Sequence, residues 1–220
     1  ISYRVTQGTI FEINCSEIKG FKKFDKLPKV YVSRIEKKEV RGKKTDVEVK
    51  KYVKVLTKQF PTDKISCEWS VKADPGFYFL YVLPTEKKSA PILVTESFEV
   101  KAPENMLLSP NHATQGTEVL VTGNYFGTKK PKIWFQEADN NKKAKKISCK
   151  SYNFWMKPEH TENGESQLKF LTPKLVPNAE YDFYLKSMIG QATAKFVCEN
   201  LPPIAVDDYA SAQKNTPLVI

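Results

Sequence analysis

The tetrapeptide Thr-Gln-Gly-Thr occurs twice, at residues 6–9 and again at residues 114–117, 108 positions apart. Each copy leads into a run that alternates apolar and polar residues, "IFEIN" after the first and "EVLVTG" after the second. The likeness continues further along. Pro28-Lys29-Val30-Tyr31-Val32 lies 103 positions before Pro131-Lys132-Ile133-Trp134-Phe135, and at that same offset Tyr78, Tyr81 and Val82 meet Tyr181, Tyr184 and Leu185. A nearly constant spacing over three separated segments marks one unit of about 100 residues used twice. Whatever fold one half adopts, the other shares.

The unit itself is written in period two. "KVYVSRI", "ISCEWSV" and "GFYFLYVL" in the first half, and "KIWFQEA", "QLKFLTP" and "YDFYLKS" in the second, are short and rich in Val, Ile, Phe and Tyr. Turn residues such as Pro28, Gly42 and Pro75-Gly76 separate them. This pattern predicts short strands of a sandwich or barrel, and no segment carries a helical stripe. "EADNNKKAKK" (residues 137–146) is polar all round and is expected to be a hairpin loop. The fold class is all-β: two tandem immunoglobulin-like β-sandwiches, each of the usual size for that fold. The expected division is 1–103 for a divergent first sandwich, 104–200 for the second, and 201–220 for a linker and the start of a following domain. The boundary falls in "KAPENMLLSP" (Lys101–Pro110), whose prolines limit bending.

The net charge is +10, and most of it lies in the first half. Such an excess attracts polyanions, yet the lysines alternate with apolar residues. That pattern suits solvent faces of strands and protected sheet edges. The four cysteines, Cys15 and Cys67 then Cys149 and Cys198, form no CxxC and stand far from His112 and His160 in sequence, which argues against zinc. One pair per half permits a disulfide in each sandwich in an oxidising compartment, or four buried thiols. No nucleophile elbow, HExxH or phosphate loop is present, and the histidines sit in polar turns, so no enzyme is expected. No run of about 18 apolar residues exists to cross a membrane.

Aromatic residues crowd both halves. Alternation puts Phe77, Phe79 and Tyr81 on one face of "GFYFLYV" and Tyr78, Leu80 and Val82 on the other. Trp69, Tyr78, Trp134 and Trp155 are candidates for exposed rings that stack on sugars or bases. Their alternative role is packing against a neighbouring domain or a long loop.

Pro110, Gly116, Val119, Val121, Gly123, Phe126 and Gly127 resemble the opening of an IPT/TIG domain, an immunoglobulin-like fold of the E-set kind found in surface receptors, some transcription factors and many bacterial surface proteins. The first half departs from this pattern, with Cys15 where Gly123 stands. "LPPIAVDDYASAQKNTPLVI" (residues 201–220) resembles the start of a cadherin-like repeat of bacterial surface proteins. These resemblances imply a non-enzymatic spacer or adhesion module of a larger secreted or cell-surface protein, with partners among neighbouring domains and proteins or glycans at the cell surface. Insertion into a membrane and binding to nucleic acid are not expected. A signal peptide or anchor is expected outside residues 1–220, because the chain opens on Ile1 and closes in mid-pattern. No organic cofactor is implied. Calcium at the C-terminal junction is, through Asp207 and Asp208 with Glu199 and Asn200 before them. The rival functions are a carbohydrate-binding accessory module and a DNA-binding immunoglobulin-like domain.

Overall fold

The computed structural model describes residues 2–21, 24, 26–86, 89–137, 146–149, 152–153 and 165–200. Strands β1 (Tyr3–Val5), β2 (Ile10–Asn14), β3 (Lys29–Val40), β4 (Lys43–Tyr52), β5 (Lys54–Val55), β6 (Lys64–Glu68), β7 (Gly76–Leu83) and β8 (Ile92–Val100) form the first sandwich. One sheet has the order β1-β8-β7-β3-β4 and the other β2-β6-β5. Strands β9 (Glu104–Ser109), β10 (His112–Ala113), β11 (Glu118–Asn124), β12 (Lys132–Glu137), β13 (Ile147–Ser148), β14 (Tyr152–Asn153), β15 (Glu165–Leu171), β16 (Ala179–Lys186) and β17 (Gln191–Cys198) form the second. Its sheets run β10-β17-β16-β12-β13 and β14-β15-β11-β9. The two five-stranded sheets share one order, and both contain a parallel pair, β1 with β8 and β10 with β17. The fold is thus two tandem immunoglobulin-like sandwiches.

Strands β2, β7, β15 and β16 each bury one alternating face. In β7, Tyr78, Leu80 and Val82 point inward while Phe77 and Phe79 are exposed. The first core gathers around Trp69 and Phe98, ring centroids 5.5 Å apart, with Phe11 against Phe98 at 5.2 Å. The second centres on Phe135, which touches Phe183 at 5.1 Å, Phe196 at 5.0 Å and Phe170 at 5.6 Å. Burying an aromatic or large aliphatic side chain contributes about 1.5–3 kcal/mol each, so these clusters supply most of the drive to fold. Lysines take the opposite role on β4, an edge strand whose Lys43, Lys44 and Lys50 are exposed. Charge on an open edge discourages pairing with another chain.

The two bodies meet at a defined joint. The first Thr-Gln-Gly-Thr connects β1 to β2, and its Thr6 and Gln7 are buried. Thr6 Oγ1 donates to the Tyr125 carbonyl at 3.0 Å, and the Thr128 N–H donates to the Gln7 carbonyl at 2.9 Å. Ile189, from the turn between β16 and β17, packs into the core of the first sandwich and is 5% exposed.

Candidate functional site

Three of the four aromatic candidates are not free rings. Trp69 is wholly buried and Tyr78 is 1% exposed. Trp69 belongs to the tight strand-end pairing in which its backbone N–H donates to the Thr9 carbonyl at 2.8 Å. Tyr78 faces the core, under the Arg34 guanidinium at 4.7 Å, with its hydroxyl donating to the Asp74 carbonyl at 2.9 Å. Burial raises its pKa, with Arg34 opposing. Trp134 does lie on the outer face of β12, yet it is only 8% exposed. It stacks on Tyr184, centroids 5.0 Å apart and planes at 2°, and Lys146 covers it at 4.7 Å. Trp155 lies outside the described residues.

The outer face that is exposed belongs to the first sandwich, on the side of β7 opposite the candidate Tyr78. Register aligns Leu93, Tyr81, Tyr31 and Tyr52 across strands β8, β7, β3 and β4. Tyr31 stacks on Tyr81 at 5.2 Å with planes at 14° and lies against Tyr52 at 5.5 Å. Tyr52 is 53% exposed, Phe77 66% and Phe79 39%. The same row in the second sandwich reads Thr193, Tyr184, Trp134 and Ser148. The stacked pair therefore sits at matching positions in both copies, each beneath a lysine, Lys50 over Tyr31 and Lys146 over Trp134. The 103-residue offset that aligns Tyr81 with Tyr184 and Tyr31 with Trp134 carried that signal in the sequence.

Of the two cysteine states that the sequence permits, the structure holds the buried thiols. All four cysteines are buried free thiols. Cys67 stands opposite Phe11, four residues before Cys15. At about 3.3 Å per residue that separation exceeds the reach of a disulfide. Cys198 stands opposite Ala179, whereas Cys149 follows Ser148, which pairs with Trp134 and through it aligns with Tyr184, far along the same sheet. Burial pushes the Cys67 and Cys149 thiols up to about 12 and raises Cys15 and Cys198 as well, so none is a poised nucleophile. Of the calcium candidates, Asp207 and Asp208 lie outside the described residues. Glu199 already accepts a 2.7 Å contact from His112 Nδ1. Among the described residues, no three acidic, histidine or cysteine side chains are grouped to hold a metal, and no helix is long and apolar enough to cross a membrane.

The joint also explains the spacing of Gly123, Phe126 and Gly127. Phe126 folds back over Gly123, where a Cβ would stand 2.8 Å from two ring carbons. A Cβ on Gly127 would stand 3.2 Å from Gln7 Cβ, so the glycine admits the first sandwich. Tyr125 between them holds a φ of 60°, an uncommon conformation for a bulky residue. Its carbonyl receives the Thr6 hydroxyl, and Lys101 Nζ lies 5.4 Å from its ring.

No family model matches the chain, and no curated protein matches it in sequence. Among solved structures, the chain is similar to Dpr2 Ig1-Ig2 in complex with DIP-Theta Ig1-Ig3, with 9% identity, a TM-score of 0.33, and coverage of 91% of this chain and 61% of that one. It is similar to a chimeric titin Z1Z2-Z1Z2 tandem with 14% identity, a TM-score of 0.26, and coverage of 91% and 95%. It is similar to the polymeric Ig receptor ectodomain of a teleost fish with 10% identity, a TM-score of 0.26, and coverage of 90% and 95%.

Proposed function

We propose that the chain is a non-enzymatic structural and protein-interaction module of a larger secreted or cell-surface protein. The observation that carries this reading is the joint, in which two hydrogen bonds and the inserted Ile189 hold the sandwiches in one relative orientation. A spacer needs such a joint, because a proline-bearing linker alone limits bending without fixing an angle. The exposed face that carries Tyr52, Phe77, Phe79 and Leu93 offers an apolar patch of the kind that marks protein contacts. The division at residues 103 and 104, and membership of the second sandwich in the IPT/TIG family, belong to this proposal. The packing of Phe126 on Gly123 supports the family placement by giving its G-x-x-F spacing a physical reason. Carbohydrate binding is the second reading, favoured by Tyr52 exposed beside Tyr31 and Lys50.

Small-angle scattering tests the spacer. The expected result is a two-lobed particle with one narrow distribution of distances between lobes, broadened by Gly8→Ala. A wild-type chain that already scatters as two freely jointed bodies contradicts the reading.

A further inference from the structure

A cleft of about 910 Å³ opens at the joint, with Gln7 and Lys72 of the first sandwich on one side and residues 129–134, 146, 148–149 and 186–188 of the second on the other. Lys72, Lys129, Lys132, Lys146 and Lys186 line it, and every one is exposed. No carboxylate lines it among the described residues. Elsewhere the basic side chains of this protein repeatedly find partners, as in Lys54 with Glu68, Lys64 with Glu12 and Lys195 with Asp182. Five ammonium groups gathered in one cleft repel one another, and an anion in their midst relieves that repulsion. A second feature points the same way. Trp134 lines the cleft, and its buried indole N–H has no acceptor. A buried donor left unpaired is unfavourable.

We propose that this cleft binds a short acidic oligosaccharide, through sulfate or carboxylate groups held by the lysines of both sandwiches. The cleft favours this class over nucleic acid on two grounds. It is a local pocket at the joint and not a long basic track, and Trp134 offers no ring face for a base, since Tyr184 covers one side and Lys146 the other. The site goes beyond the spacer reading and stands on different residues from the exposed tyrosine row.

The experiment is titration calorimetry of the 220-residue chain with a heparin-derived hexasaccharide and, separately, an uronate hexasaccharide lacking sulfate. A matched single-stranded DNA oligonucleotide completes the set. The expected result is binding of at least one oligosaccharide, weakened about tenfold or more by Lys129→Ala with Lys132→Ala. The control, Lys43→Ala with Lys44→Ala, removes equal charge from the tip of the β3–β4 hairpin and is expected to change affinity less than about twofold. Raising salt from about 50 to 200 mM is expected to weaken binding roughly twentyfold if three lysines engage. Tryptophan emission is expected to shift on binding in wild type and not in Trp134→Phe. Equal losses in the two double variants, tighter binding of DNA than of either oligosaccharide, or no oligosaccharide binding overturns the proposal. Circular dichroism of each variant separates lost binding from lost fold.

Discussion

The two copies of Thr-Gln-Gly-Thr are alike within themselves and unlike in their surroundings. Gly8 and Gly116 both have a φ of 84°. Gly8 N–H donates to the Trp69 carbonyl at 2.7 Å, and Gly116 N–H to the Thr172 carbonyl at 2.9 Å. In each copy the last threonine N–H bonds back to the first threonine carbonyl, at 3.1 Å and 3.3 Å. Yet Thr6 and Gln7 are buried against the second sandwich, whereas Gln115 and Gly116 are exposed. The turn is therefore an element of the fold in both halves and a joint in only one. What a motif does depends on what the chain lays against it.

The comparison extends to the cores, where the largest effect is expected. Phe135→Ala should cost the second sandwich about 3–5 kcal/mol, since four aromatic rings lose their centre. Val32, its counterpart at the 103-residue offset, should cost the first about 2 kcal/mol on truncation to Ala. Denaturant melts read through each half would reverse this order if the cores were not distinct. Next come the glycines. Gly116→Ala meets open space and bears only the strain of positive φ, about 1 kcal/mol. Gly8→Ala adds a Cβ within 2.6 Å of Thr128 Cβ and Cγ2, for about 2–4 kcal/mol in all. Thr128→Gly should recover the added part; failure to do so would detach the cost from the joint.

Smaller effects follow. Thr6→Val removes the donor to a buried carbonyl and should cost about 1–2 kcal/mol. Thr114→Val, which loses only a contact with Thr117 Oγ1, should stay under about 0.5 kcal/mol. The least difference is expected in alkali. Cys67 and Cys149, one in each sandwich, are pushed from about 9 up to about 12 by burial. Between those values the unfolded chain sheds a proton that the native chain keeps, so stability falls as pH rises. Both sandwiches should lose stability alike from about pH 9 to 10. Above about 10 the first should fall faster, because burial and then Glu17 raise Tyr3 to about 12 as well. Equal slopes above pH 10 would contradict the burial of Tyr3 and of Tyr31 and Tyr78, whose hydroxyls burial also raises in the first sandwich.

The architecture was legible because alternation marks strands and sorts their side chains onto two faces. Phe77, Phe79 and Tyr81 against Tyr78, Leu80 and Val82 is one strand read correctly from its letters. Alternation separates two faces but does not say which one water reaches. Tyr78 and Trp69 entered the candidate set for that reason, and both fill the core. Trp134 shows a subtler limit, since an outward ring is not a free one when a cross-strand tyrosine and a lysine cover it. The joint lay beyond any local pattern. Thr6 meets Tyr125 across 119 positions, and no spacing within either copy signals that contact. The cleft lysines are likewise scattered through the sequence from Lys72 to Lys186.

The central claim is that the first turn locks the two sandwiches together, and the Thr128 amide tests it most directly. That N–H bonds across the joint to the Gln7 carbonyl. Hydrogen exchange should show it protected in the intact chain and freely exchanging in Gly8→Ala, while the Val119 and Val121 amides of the second core stay protected in both. A Thr128 amide that exchanges in wild type as fast as an exposed loop would contradict the account.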